Sequence, residues 1–144
     1  MQVLRKFESE IEADVLNNMI RLARAAAANA HAPFSHFHVG ASVLDDRGRI
    51  YSGCNVENIC FGLSMCAERN AAAAAICGGA RRLRAVAIYT ASESLSPPCG
   101  ACRQVLTELG PKMEVHLVNH ENEHVIFTMD SLLPSGLPAE QISS

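Results

Sequence analysis

Two clusters of cysteine constrain what this chain can fold into more than any other feature of the sequence. Cys66 is followed two residues later by Glu68, and Cys99 and Cys102 form a second cluster with the spacing C-x-x-C. Helix-favouring sequence follows each cluster, so we place both at the N-terminal turn of a helix. Such a turn offers unpaired backbone N–H groups and about half a positive charge, which favours thiolates. We therefore expect a fold that brings thiol groups to the start of two helices.

The cysteines are better explained by metal binding or thiol chemistry than by disulfides. The first ten residues are charged throughout and lack the apolar core of a signal peptide, which predicts a cytoplasmic protein. Three thiol ligands with water in the fourth position describe a catalytic zinc site, and Cys66, Cys99 and Cys102 are the candidate ligands. The other three cysteines are interpreted as small buried or interface residues: Cys54, Cys60 and Cys77.

Glu68 is the candidate proton carrier of this site. Helical side chains lean toward the N-terminus, so Glu68 can reach back toward a metal that Cys66 holds and exchange a proton with bound water. Zinc with three thiolates has a net negative charge, which opposes ionisation of that water. The two helix ends offset this charge in part. Arg69 and Arg103, which adjoin the motifs, are expected to donate hydrogen bonds to the sulfur atoms and offset the rest.

Composition excludes several classes of protein. Hydrophobic residues make up 49% of the 144 residues and charged residues 19%, unlike a disordered chain. The formal net charge of −3 provides no basic field to hold a nucleic-acid backbone. No apolar run approaches the roughly 20 residues of a membrane span. We therefore expect neither a nucleic-acid partner nor a membrane partner.

Helical and strand patterns alternate along the whole chain. The first predicted helix covers about 10–30, and the second runs from about 64 to the glycines at 78–79. The third runs from 98 to the Gly-Pro at 110–111, with Pro98 in its first turn. A short fourth helix is predicted to begin at 132–133. The predicted strands cover 39–44, 49–53, 85–90, 114–118 and 125–128. This order predicts one α/β domain over 1–144, with about 1–10 and 141–144 peripheral. We expect a three-layer α-β-α sandwich around a mixed five-stranded sheet.

The chain resembles the cytidine deaminase family, of the small free-nucleoside type, in both cysteine motifs. The first motif reads Cys66-Ala67-Glu68-Arg69, and the second reads Pro98-Cys99-Gly100-Ala101-Cys102-Arg103-Gln104. The resemblance continues through residues 34–41, 53–58 and 132–135, and covers about 15–140 in all. It implies the cytidine deaminase fold.

The resemblance also implies a reaction. Cys66, Cys99 and Cys102 are expected to bind one zinc per chain, as in the wider class of zinc deaminases with a non-ligand glutamate. Hydroxide attacks C4 of cytosine, Glu68 shuttles the proton and ammonia leaves. The implied substrates are cytidine and 2′-deoxycytidine, which become uridine and 2′-deoxyuridine.

Substrate-binding residues follow from the same resemblance. Asn55 and Glu57 match the family's ribose-binding pair, and an amide and a carboxylate can both hold a sugar hydroxyl. Phe37 matches an aromatic that packs on the pyrimidine. Ile59 and Phe61 match loop positions that close a neighbouring subunit's pocket, so a homotetramer with shared active sites is implied. The remaining expected pocket residues are Ala67 and Leu137, the latter standing where relatives have phenylalanine.

Three other functions stay open at this point. An ending without phenylalanine also resembles blasticidin S deaminases, so a deaminase of a modified or N4-substituted cytosine nucleoside is the main alternative. A zinc-binding module without catalysis is disfavoured by Glu68, because a structural site has no use for that carboxylate. A dithiol oxidoreductase using Cys99 and Cys102 predicts activity that survives chelation.

Overall fold

The computed structural model describes residues 8–138 and builds them into ten helices and strands. The four α-helices are α1 (Ala13–Ala27), α2 (Ala67–Cys77), α3 (Gly100–Leu109) and α4 (Met129–Leu132). The five strands are β1 (Val39–Asp45), β2 (Ile50–Cys54), β3 (Leu83–Thr90), β4 (Glu114–Asn119) and β5 (His124–Thr128). A single 3-10 turn covers Phe61–Leu63.

The five strands form one mixed sheet in the order β2-β1-β3-β4-β5. Three of the four pairings are antiparallel, and β3 pairs with β4 in parallel. A parallel pair needs a crossover connection, which α3 supplies between β3 and β4. The predicted mixed five-stranded sheet is confirmed.

Helices cover both faces of the sheet, as the predicted α-β-α sandwich requires. On one face, α1 buries Met19 in a cluster with Leu44, Ala85 and Ala87. Ala23 and Ala27 of the same helix cluster with Tyr89 and Val118. On the other face, α2 and α3 pack on the sheet, and Leu106 joins the larger core cluster. Every residue of β1 is buried because helices lie on both sides of it.

Two glycines let helices approach the sheet from opposite sides. A Cβ atom on Gly40 of β1 would lie 1.8 Å from the carbonyl oxygen of Ala23 in α1. A Cβ atom on Gly53 of β2 would lie 2.5 Å from the backbone nitrogen of Ala71 in α2. Only glycine permits backbones this close. The alanine-rich part of α2 therefore packs closely against β2.

Helix α1 is three residues shorter at each end than predicted, and several strand ends shift by one or two residues. The other three helices differ in ways that concern the site. Helix α2 begins at Ala67 rather than near Ser64, because Val56 and Met65 exchange backbone hydrogen bonds and hold the preceding residues extended. Pro98 lies before α3 rather than in its first turn, since Cys99 is the N-cap. The last short helix ends at Leu132 instead of beginning there.

The predicted peripheral segments fall largely outside the described residues, which exclude 1–7 and 139–144. Of the first segment the structure describes 8–10, where the Ser9 hydroxyl and the Glu10 N–H both donate to the Glu114 carboxylate. Within residues 8–138, no helix has the length and hydropathy needed to cross a membrane.

Candidate active site

Cys66 and Cys99 occupy equivalent positions at the starts of α2 and α3. Each is the N-cap residue with an extended backbone, and its carbonyl accepts the first helical hydrogen bond, from Asn70 and Arg103 respectively. Neither sulfur atom caps its own helix. Both sulfurs are therefore free to face the space between the two helix N-termini.

The structure brings the three predicted ligands together. The Sγ atoms of Cys66, Cys99 and Cys102 all lie within 4.8 Å of one another, and those of Cys66 and Cys99 are 3.7 Å apart. Cys102 is fully buried whereas Cys99 is exposed, so the cluster opens to one side. Three convergent sulfur donors at two helix N-termini fit zinc, which favours thiolates and four-coordinate sites. The three cysteines form a possible zinc site.

Ionisation of Cys66 is favoured in this cluster. Contact with the neighbouring Cys102 thiol, reinforced by Arg69 and Cys99, lowers the pKa of Cys66 to about 5 although burial opposes ionisation. The same contact, together with burial, raises the pKa of Cys102, because a second negative charge beside Cys66 is disfavoured. The donor set thus already stabilises one thiolate at neutral pH.

Glu68 lies beside the sulfur cluster on the first turn of α2. Only 6% of its surface is exposed, and the Cys102 thiol donates a hydrogen bond to its Oε2 atom at 3.3 Å. Burial, with a smaller contribution from the negative charge of Cys66, raises the pKa of Glu68 above its ordinary value. A raised pKa makes this carboxylate a stronger proton acceptor than an exposed glutamate, which suits a proton carrier.

The two arginines predicted to contact sulfur behave differently. The Arg69 guanidinium lies 3.8 Å from the Cys66 Sγ atom and 3.4 Å from the Ser64 carbonyl oxygen. Arg103 instead donates to the carbonyl oxygens of Pro98 and Leu132. The structure thus gives Arg103 carbonyl partners, and the expected hydrogen bond to a thiolate is not among its contacts in residues 8–138. Its guanidinium joins the segment before α3 to the end of α4 through these two carbonyls.

A cavity of about 370 Å³ lies next to the loop that leads into α2. Two predicted binding residues, Glu57 and Phe61, line it. The rings of Phe34 and Phe61 pack edge to face with their centroids 5.6 Å apart. The other lining residues are Ser35 and Ser64.

Asn55 and Glu57 hold the loop that precedes β1. The Asn55 amide accepts from the N–H of Val39 at 2.9 Å and donates to the Phe37 carbonyl at 2.7 Å. The Glu57 carboxylate accepts from the N–H groups of Phe34 and Ser35 and from the Ser35 hydroxyl. Both polar side chains are thus anchored by the same loop, and Glu57 also lines the cavity.

The remaining predicted residues are spread around this region. Ala67 is buried at the start of α2, between Cys66 and Glu68, and Phe37 is 38% exposed. Ile59 is 83% exposed and Phe61 73%, although Phe61 also lines the cavity of its own chain. Leu137 is half exposed, and its carbonyl accepts a hydrogen bond from Gln104 at the far side of α3.

Two serines of the cavity were missed by the sequence interpretation. Ser35 contacts Glu57, and its Oγ atom also accepts from the Phe37 N–H, two residues on. Ser64 accepts from the Asn58 N–H through its hydroxyl and from Arg69 through its carbonyl. A serine hydroxyl that accepts from the backbone two residues ahead is a known turn signal, which identifies Ser35. No local signal identifies Ser64.

Comparison with known proteins gives a consistent result. The family model described as the cytidine and deoxycytidylate deaminase zinc-binding region matches residues 14–118. The chain is 37% identical over 129 residues to a cytidine deaminase of Sporosarcina psychrophila, which covers 89% of this chain and 95% of that protein. It is 49% identical over 98 residues to a cytidine deaminase of Mycobacterium tuberculosis, covering 67% and 74% of the two chains.

A solved structure shows the same fold. The crystal structure of cytidine deaminase from Burkholderia pseudomallei superposes with a TM-score of 0.80 at 40% sequence identity. The superposition covers 84% of this chain and 98% of that one. Both cysteine motifs lie within the stretch that the family model matches. The chain therefore belongs to the cytidine and deoxycytidylate deaminase family.

Proposed function

We propose that this protein deaminates cytidine and 2′-deoxycytidine by hydrolysis. One observation carries the proposal: the buried carboxylate of Glu68 lies against Cys102, inside a cluster of three cysteine sulfurs. A structural metal site needs no buried carboxylate beside its ligands, whereas a hydrolytic site needs a proton carrier there. The family and the names of the relatives support cytidine as the substrate.

Zinc is the metal that Cys66, Cys99 and Cys102 would hold. When bound, it supplies the Lewis acidity that activates water for attack on C4 of the pyrimidine. Glu68 takes a proton from the attacking water and delivers it to N3 of the base. The new C4–O bond forms, and Glu68 then moves the proton of the resulting C4 hydroxyl to N4. The C4–N4 bond breaks as the C4 carbonyl forms, and the products are uridine and ammonia. Because Glu68 is buried, the proton is held away from bulk water between these transfers.

Asn55 and Glu57 are the proposed contacts for the sugar. After their contacts with the loop, the Asn55 amide retains one N–H, and the Glu57 carboxylate retains acceptor capacity. A donor and an acceptor two residues apart can bind a hydroxyl group of the sugar. A site built to pair with a hydroxyl penalises a substrate without one, so we expect a preference for nucleosides over free cytosine.

The base is proposed to pack against Phe37 and the start of α2. Phe37 is anchored through its carbonyl to Asn55 and through its N–H to Ser35. Ala67 has no side chain beyond Cβ, which leaves room beside Cys66 for a planar ring. Aromatic packing adds about 0.5–1.5 kcal/mol beyond the burial of area.

We further propose that the protein is a homotetramer in which loops complete neighbouring sites. Ile59, Phe61 and Leu63 are 83%, 73% and 66% exposed, and they form one apolar stretch beside the cavity. Contiguous exposed apolar surface of this kind favours a protein partner. Light scattering of the purified protein checks the assembly. Charged substitution at Ile59 should reduce both the mass and the activity.

The cytoplasm is the proposed location. The small nucleoside proposed as its substrate supports it. Fractionation of the source cells, with immunodetection of the protein in each fraction, tests this proposal.

The decisive experiment is an absorbance assay with purified, zinc-loaded protein on a panel of cytosine nucleosides. Cytidine and 2′-deoxycytidine should be converted to the uracil nucleosides, and removal of zinc by a chelator should abolish the conversion. A dithiol oxidoreductase would instead keep its activity after chelation. Turnover of N4-substituted nucleosides alone would establish the modified-nucleoside alternative.

Leu137 separates the two substrate classes. A leucine in place of an aromatic ring encloses a pyrimidine less tightly and tolerates more bulk on N4. Leu137→Phe should therefore lower the Michaelis constant for cytidine and penalise N4-substituted analogues. An unchanged ratio of efficiencies on the two substrates would show that Leu137 lies outside the pocket.

A further inference from the structure

The loop of residues 32–37 is held at one point by a serine with two simultaneous contacts. The Ser35 Oγ atom donates to Oε2 of Glu57 and accepts from the N–H of Phe37 at 3.0 Å. Between these residues, His36 has a φ of 56°, in the left-handed region that non-glycine residues rarely adopt. The conformation of this turn thus depends on contacts that compensate for its cost.

Glu57 has little acceptor capacity left after its contacts with this loop. A carboxylate offers about four lone-pair positions on its two oxygens. Oε1 accepts from the N–H of Phe34 at 2.9 Å and of Ser35 at 3.1 Å, and Oε2 accepts from the Ser35 hydroxyl. One position remains, and it lies on Oε2, the oxygen that Ser35 contacts. The direction of that position is therefore set by the Ser35 hydroxyl.

We propose that Ser35 is a positioning residue for substrate recognition, whose hydroxyl orients Glu57 so that the carboxylate presents one acceptor position to a sugar hydroxyl. The inference rests on the proposed function of Glu57 in sugar binding. Ser35 acts through Glu57 and through Phe37, and it needs no contact with the substrate itself. Ser35 and Glu57 both line the cavity of about 370 Å³.

The charge state of Glu57 agrees with this arrangement. The hydrogen bond from the Ser35 hydroxyl is the largest cause that lowers the pKa of Glu57, and the N–H groups of Phe34 and Ser35 add to it. Glu57 is consequently ionised at neutral pH and can only accept hydrogen bonds. A 2′- or 3′-hydroxyl of the sugar can donate to the remaining acceptor position of Glu57. A sugar that lacks both hydroxyls leaves that position unpaired.

The test compares turnover of cytidine with turnover of 2′,3′-dideoxycytidine, which lacks the two hydroxyl donors. The measured quantity is kcat/KM for cytidine divided by kcat/KM for 2′,3′-dideoxycytidine. In Ser35→Ala this ratio should fall about tenfold, because a hydrogen bond that orients a charged acceptor is lost. The loss should appear mainly in KM for cytidine. Ser35→Thr keeps the hydroxyl and should restore the ratio, whereas Ser35→Cys, a weak donor, should resemble Ser35→Ala.

The matched control is Ser131→Ala. Ser131 is also exposed, its hydroxyl donates to the Thr128 carbonyl at 2.7 Å, and it lies on α4 outside the cavity. Its ratio should equal that of the wild type. Because Ser35 is exposed as well, the thermal unfolding midpoints of all variants should stay within a few degrees of the wild type.

A double-mutant cycle separates this inference from the proposed function. In a Glu57→Gln background, Ser35→Ala should have little further effect on the ratio, because Ser35 acts through the carboxylate. Full additivity, a ratio in Ser35→Ala within twofold of the wild type, or failure of Ser35→Thr to restore it would overturn the role of Ser35. If the wild type fails to convert cytidine, or Glu57→Gln leaves the ratio unchanged, the proposed sugar contact is overturned instead, and the role of Ser35 with it.

Discussion

The thiol of Cys102 and the carboxylate of Glu68 meet at 3.3 Å, although 34 residues separate them in sequence. Cys102 lies in the first turn of α3 and Glu68 in the first turn of α2. Both are buried, so their contact is shielded from water. This contact joins the candidate ligand set to the candidate proton carrier. Because the two roles belong to different residues, separate variants can test them.

Glu68→Gln should leave fold and zinc content intact and remove most of the turnover. Glutamine keeps the shape of the side chain but cannot take a proton from water. General acid–base catalysis contributes roughly 10²–10⁴-fold, which sets the expected loss in kcat. Glu121→Gln, in an exposed turn, is the control. Residual activity of Glu68→Gln within tenfold of the wild type would exclude the proposed role.

Each chain should bind about one zinc ion through the three clustered cysteines. The Cys99→Ala/Cys102→Ala double variant removes two of three sulfur donors and should bind none after dialysis against chelator. Cys77→Ala, at the exposed end of α2, should bind zinc like the wild type. Elemental analysis of the three proteins gives the answer. Zinc retained by the double variant would contradict the assignment.

Arg69→Ala and Arg103→Ala should have different effects. Arg69 contacts the Cys66 sulfur, so its removal should weaken zinc binding about 10–100-fold, as loss of a group that contacts a metal ligand commonly does. Arg103 joins Pro98 to Leu132, so its removal should lower thermal stability and change zinc affinity less. Competition with a zinc-binding dye measures affinity in both. Equal affinities would refute the distinction.

Gly53→Ala should destabilise the protein and disturb the site together. The added Cβ would lie 2.5 Å from the backbone nitrogen of Ala71, so α2, which carries Glu68, must move. Overpacking of a core costs about 1–3 kcal/mol, which corresponds to about 3–10 °C in the midpoint of thermal unfolding. Ser52→Ala, at the exposed neighbouring position of β2, is the control. An unchanged midpoint would show that α2 tolerates the methyl group.

Asp45 should make stability depend on acid pH. Burial opposes its ionisation, but hydrogen bonds from the Arg49 backbone and side chain and from the Arg47 N–H prevail and lower the pKa of Asp45 below its ordinary 3.8. The unfolded chain then binds more protons than the folded chain in this range, so stability rises with pH there. This stabilisation is complete above about pH 5 and is lost as pH falls through the lowered pKa.

Asp45→Asn tests that dependence. The amide can accept from both backbone N–H groups but loses the ion pair with Arg49, so the variant should lose about 1–3 kcal/mol of unfolding free energy at pH 7. The difference from the wild type should shrink below pH 4. Urea titrations at pH 7 and pH 3 measure it, with Asp46→Asn, the exposed neighbour, as the control. A difference that grows in acid would reverse the sign of the argument.

Periodicity and motif spacing predict the sheet, the layers and the three sulfur ligands because each depends on short stretches of sequence. Alternation marks the strands, and Cys99 and Cys102 share one helical turn. The start of α2 is missed because it depends on the pairing of Val56 with Met65, which local propensity does not report. The extended segment after Ser64 is thus a tertiary effect.

The contacts of long side chains are a second point at which the structure differs from the sequence prediction. Arg103 adjoins Cys102 in sequence, yet its guanidinium binds the Leu132 carbonyl, which a separate helix brings within reach. Arg69 has the same kind of side chain and does contact sulfur. Sequence adjacency to a ligand therefore does not determine where an arginine donates, because the acceptor that it reaches depends on the packing of distant elements.

Cysteine at the two N-cap positions has a consequence for how this protein can evolve. Serine, threonine, aspartate or asparagine at an N-cap is worth typically about 1 kcal/mol over alanine, because an oxygen atom accepts from the free N–H groups of the first turn. Neither Cys66 nor Cys99 makes such a contact. Random substitution to serine would thus strengthen both helices and remove a soft metal ligand. Selection for stability alone would favour serine at both positions and give a more stable but inactive protein. The presence of cysteine at both N-caps is therefore explained by selection for activity.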